Sequence, residues 1–156
     1  NNLQEDKSYA IRLLMNQKSL GLFEESPVIG VGPARFRKES TPLVLPAVLQ
    51  YARQDYFDRK SAHNSYLGFL AECGLAGAIP FGILILTLGV KGSKSAIFLL
   101  KREQYWALGI FCSFVGMSIH MWVINSLTNS ANWMVYGMVA ALIVIAGRIR
   151  RQERQH

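Results

Sequence analysis

The run from Tyr66 to Val90 constrains this chain more than any other feature. Its 25 residues carry a single charge, at Glu72. Wound as a helix at 1.5 Å per residue, such a run reaches about 37 Å, more than the ~30 Å hydrocarbon core of a bilayer. It therefore reads as a transmembrane helix with room for tilt. Immediately before it stand His63, Asn64 and Ser65, so an ionisable imidazole is delivered where the chain leaves water. Asn64 or Ser65 is expected to cap the helix.

The rest of the chain is segregated in the same sense. Mean hydropathy is +0.19 over 156 residues, although residues 1–62 hold nine Lys/Arg and seven Asp/Glu. That block is too charged for lipid and reads as an aqueous loop, 1–63. The net charge of +7 does not point to nucleic acid. Its basic residues cluster beside apolar runs, at Lys91, Lys94, Lys101 and Arg102 and at Arg148, Arg150, Arg151 and Arg154, as juxtamembrane cytoplasmic charges do. Aromatic residues are set among aliphatics instead of alternating with cations, as a base-stacking surface would require. Cys73 and Cys112 both fall within apolar runs and read as small fillers.

The fold class expected is an all-α, polytopic membrane protein: three transmembrane helices preceded by a helical periplasmic loop. The spans are placed at 64–90, 105–125 and 133–147. A basic cytoplasmic loop (91–104), a periplasmic turn free of Lys and Arg (126–132) and a basic cytoplasmic tail (148–156) connect and close them. Asn1–Lys7 shows neither initiator Met nor an apolar signal segment, so a C-terminal fragment of a longer chain is expected. Within the loop, Ile11, Leu14, Met15 and Leu22 on one side, with Leu13, Leu20 and Phe23 nearby, predict a broad amphipathic helix over 9–23 with Ser8 as N-cap. The stretch from Pro27 to Pro33, with Gly30 and Gly32, reads as a turn-rich crossing. A second short helix is predicted over 46–59. A loop of this length with helices of its own suits a lid or a site-building segment.

Several residues could carry chemistry. His63, at the positive end of a helix dipole, would be held neutral near pH 7 and available as a base. Arg12, Arg35 and Arg37 in the loop offer forks for phosphate oxygens, although each alone also reads as a solvated side chain. Glu72 within the span needs a partner or a proton; a structural role, pairing an arginine or capping backbone opened near Gly74, fits it best. Gly74, Gly77 and Pro80 predict a close contact or a kink. His120, near the outer end of the second span, could approach the same mouth or bond a neighbouring helix. The histidines are scattered and no carboxylate pair has convincing spacing, so no metal site is predicted. Gly30 and Gly32 are followed by Arg35 where a dinucleotide fingerprint needs glycine.

Taken together, His63-Asn64, nine residues, then Gly74-x-x-Gly77, preceded by a helical arginine and Pro27-x-x-Gly30-x-Gly32-x-x-x-Phe36, resembles the O-antigen ligase and polymerase family of bacterial membrane glycosyltransferases. The resemblance covers about residues 9–90. It implies a multi-pass inner-membrane enzyme with its active site facing the periplasm. Such an enzyme needs no cofactor or metal and moves a glycan from an undecaprenyl-pyrophosphate carrier to a growing polysaccharide, a lipid A core or a protein. Residue by residue, His63 matches the family's acceptor-activating histidine and Arg12 the pyrophosphate-holding arginine, with Arg35 and Arg37 as helpers. The few spans present depart from the family pattern, so part of the donor site is expected elsewhere. The alternative is a non-catalytic membrane protein, such as part of a transporter with an extracytoplasmic binding loop. The His-Asn-x9-Gly-x-x-Gly spacing favours the enzyme.

Overall fold

The computed structural model describes residues 2–44, 49, 60–125 and 127–155. Among them are four α-helices and no strand: α1 (Asn2–Glu25), α2 (Ser65–Leu100), α3 (Trp106–His120) and α4 (Ser130–Glu153). Two of these, α2 and α4, are long and apolar enough to cross a membrane. The third apolar helix, α3, has 15 residues and rises only about 22 Å, short of a bilayer core. The three predicted spans thus appear as two span-length helices and one shorter apolar helix. The helix predicted over 46–59 lies outside the described residues apart from Leu49.

The chain divides into two compact units, residues 1–80 with 121–125, and residues 81–120 with 126–156. In the first, α1 is longer than its apolar pattern predicts. It begins at Asn2, and Ser8 lies inside it as an ordinary helical residue, not at its cap. No proline or glycine interrupts residues 2–8, so nothing local stops the helix from starting earlier. Its inward face follows helical spacing: Ala10, Leu14, Met15, Lys18, Ser19 and Leu22 are all buried. The apolar members of that face meet Phe36, Leu49, Ala62 and Ala71 in one core, with Ile11, Val31 and Leu43 against it.

In the second unit, α4 is capped by Asn129, whose side chain accepts from the Ala131 amide at 3.0 Å. Tyr136, Val139, Leu142 and Ala146 recur every three or four residues and are buried. Leu142 and Ala146 pack with Ala96, Leu99 and Ala107. Beyond Val90, α2 continues through the basic residues to Leu100. There Phe98 is flanked by the guanidinium groups of Arg102 and Arg150, 3.8 and 4.3 Å from the ring centroid. Arg102 also pairs with Glu153. Many other large side chains of these helices face outward, among them Ile83, Leu86, Ile119, Met134 and Val144, as a lipid-facing surface requires.

Candidate functional site

The site is organised by a break in α2. Gly74 has φ 58° and ψ −163°, a backbone conformation open to glycine and costly for any residue with a Cβ. A break leaves the last carbonyls of the first half-helix and the first amides of the second without intrahelical partners. Inside an apolar segment those groups must be satisfied. The Pro27–Gly32 crossing supplies four such bonds. Val31 and Gly32 donate their amides to the carbonyls of Ala71 and Glu72 at 3.0 and 2.9 Å, while the amides of Leu75 and Ala76 donate to the carbonyls of Pro27 and Val28, each at 2.9 Å. The two backbones are in direct contact. A Cβ on Gly74 would lie 2.5 Å from the Val28 carbonyl, and one on Gly30, itself at φ 71°, would overlap the carbonyl of Glu72. Gly30 and Gly74, one glycine from each motif, are therefore the two sides of one interlock.

Glu72 strengthens it. Its carboxylate accepts the backbone amide of Phe36 at 3.1 Å, so the carboxylate within the apolar run serves as a backbone acceptor for the turn that follows the crossing. On the other side of Phe36 is Lys18 of α1, fully buried, its ammonium 5.1 Å from the ring centroid. In this way α1, the crossing and the first half of α2 are held together.

At the opposite end of that half-helix Asn64 is the N-cap, its Oδ1 accepting from the amides of Tyr66 at 2.9 Å and Leu67 at 3.1 Å. The amide of Ser65 donates to the Met121 carbonyl at 2.8 Å and its hydroxyl to the Ile124 carbonyl at 2.7 Å. Trp122 lies over Tyr66, with ring centroids 5.2 Å apart. The residue just ahead of this cap is His63, partly buried. Its pKa is lowered from the ordinary histidine value, first by burial and then by the positive charges of Arg12 and Lys60. The cap's dipole acts in the same direction. Burial and the positive charges of Arg12 and Lys60 thus bias the imidazole toward its neutral form.

A family model described as O-antigen ligase matches residues 2–82, more than half of the chain and the whole stretch from α1 through the break in α2. The chain belongs to the O-antigen ligase family. Comparison with curated proteins and with solved structures returns no match. Family membership gives a membrane protein of glycan-transfer function whose substrates are glycans and lipid-linked molecules.

In this family member the positive charge of Arg12 acts on His63. Arg35 instead pairs with Glu39 at 2.5 Å, and Arg37 is exposed. His120 is the exposed last residue of α3; contacts to Ser65 and Tyr66 come instead from Met121, Trp122 and Ile124. Gly77 faces Cys73, whose Cβ occupies the space a side chain would need. Two cations, one acting on His63 and one buried against Phe36, lie outside the motif reading. Lys60 is three residues ahead of His63, and that proximity was the available signal. Lys18 carries no such signal, because a lysine on an amphipathic helix ordinarily reads as a solvated residue.

Proposed function

We propose that this chain forms the catalytic part of a glycosyltransferase that moves a glycan from an undecaprenyl-pyrophosphate carrier to an acceptor hydroxyl at the periplasmic face of the inner membrane. The observation that carries this reading is His63, kept neutral at a capped helix mouth with Arg12 and Lys60 as the charges acting on it. The acceptor hydroxyl attacks the anomeric carbon and passes its proton to the imidazole. The bond from that carbon to the pyrophosphate oxygen breaks, and the departing pyrophosphate keeps the electron pair. Arg12 stabilises the charge that develops there, with Lys60 as a second cation and Arg35 and Arg37 as helpers. A base with a low pKa suffices because a pyrophosphate is already a good leaving group.

The test is transfer by the full-length protein, reconstituted with its lipid-linked donor. His63→Ala should lower kcat by about 10²–10⁴ while the protein still folds and inserts. Arg12→Ala should lower transfer and raise the donor KM. Transfer by His63→Ala at the wild-type rate would overturn the proposal.

A further inference from the structure

Beyond Arg12, one face of α1 opens into a cleft of about 600 Å³ that the mechanism above leaves unused. Its walls include Leu13, Asn16, Gln17, Leu20 and Glu24 of α1, with Thr41 opposite. Asn16 is one turn from Arg12, on the same side of the helix. From Arg12 to Glu24 the axis rises about 18 Å. The chemistry of the walls is specific. The two amides each offer donors and an acceptor, and Glu24 offers acceptors. Leu13 and Leu20 add apolar surface, 53% and 46% exposed. Ligand sites combine apolar walls with a few convergent polar groups in this way. A ligand with many hydroxyls, apolar C–H faces and little charge matches them, and Glu24 at the far end disfavours an anion there. Positive charge at Arg12 and negative charge at Glu24 thus give the cleft a direction.

We infer that this cleft is an oligosaccharide subsite, in which sugars linked to a pyrophosphate at Arg12 run along α1 toward Glu24. The inference rests on the reading of Arg12 as the pyrophosphate holder, and it adds the site that recognises the glycan itself. The polarity of the cleft favours the donor's sugars; an acceptor's sugars present the same chemistry.

The experiment uses the full-length protein in detergent, as wild type and as the Asn16→Ala/Gln17→Ala double variant, both partly exposed positions. In the first arm, the oligosaccharide released from the native donor, without lipid or pyrophosphate, is bound and followed by saturation-transfer NMR. The double variant should bind about tenfold more weakly. Equal binding by the two proteins overturns the subsite. His63→Ala should bind like wild type, so this arm stays readable even if the catalytic reading fails. In the second arm, KM is measured for donors carrying a long glycan and a single sugar. The ratio of the two should rise about tenfold in the double variant. A rise confined to the KM of the acceptor glycan assigns the cleft to the acceptor's sugars. No change in either KM overturns the subsite.

Discussion

The backbone amide of Phe36 donates to the carboxylate of Glu72 at 3.1 Å, so the single charge of the long apolar run is spent on holding a loop. This bond makes a direct prediction. Glu72→Gln keeps an acceptor oxygen and should cost little, under about 1 kcal/mol. Glu72→Ala strands the Phe36 amide and should cost roughly 1.5–3 kcal/mol. Thermal unfolding of the full-length protein in detergent measures both, and equal melting temperatures for the two variants would contradict the role given to Glu72.

The interlock at Gly74 predicts a severe effect from a single methyl group. Gly74→Ala places a Cβ 2.5 Å from the Val28 carbonyl on a backbone at φ 58°, and the conformation alone costs about 1–3 kcal/mol. Gly30→Ala meets the Glu72 carbonyl in the same way. Both should reduce the folded yield and expose the Pro27–Gly32 crossing to limited proteolysis. Gly82→Ala, with open space around it, should not. Wild-type protease resistance in the first two variants would show that the crossing is held by something else.

Arg12→Lys keeps the charge and loses the planar fork. If Arg12 grips a pyrophosphate, the donor KM should rise about tenfold or more, whereas an arginine acting only as a remote positive charge would be replaced by lysine without loss. Steady-state kinetics over a donor concentration series distinguishes the two.

The low pKa of His63 also sets a sign for stability against pH. Between its folded pKa and the ordinary value of 6.5, the unfolded chain binds more protons than the folded one, so stability rises with pH across that window. The contribution is fully present above about 6.5, is lost as pH falls toward the folded pKa, and does not change further below it. His63→Gln should flatten this part of the curve of melting temperature against pH. An unaltered curve would place the titration on another group.

Much of this arrangement was legible in the residues. A cap at Asn64 or Ser65 and a weak point at Gly74 follow from side-chain type and spacing, and a structural role for Glu72 follows from the cost of a charge in an apolar run, although its bond goes to the Phe36 amide and not to an arginine or the backbone near Gly74. What eluded the sequence has a common cause. The bonds between residues 27–32 and 71–76 are made by backbone groups, which every residue possesses, so glycines mark where two segments approach closely without naming the partner. Lys18 is buried against Phe36, whose amide is held by Glu72 across 36 positions, a relationship that no local pattern encodes. Arg35 follows the opposite logic: Glu39, one turn ahead, takes it up locally. The long apolar runs predict helices well, but their ends depend on local stops. Thus α2 passes through Lys91 and Lys94 to Leu100, and α1 begins at Asn2.

The most direct measurement is the pH dependence of glycan transfer by the full-length protein, wild type beside His63→Gln. For the wild type, kcat/KM should climb along a single acidic limb with its midpoint below 6.5 and level off near neutrality, since only the neutral imidazole accepts the proton. In His63→Gln that limb should vanish and the plateau should fall by about 10²–10⁴. A variant that retains both the limb and the rate would mean that the imidazole beside Arg12 is not the base.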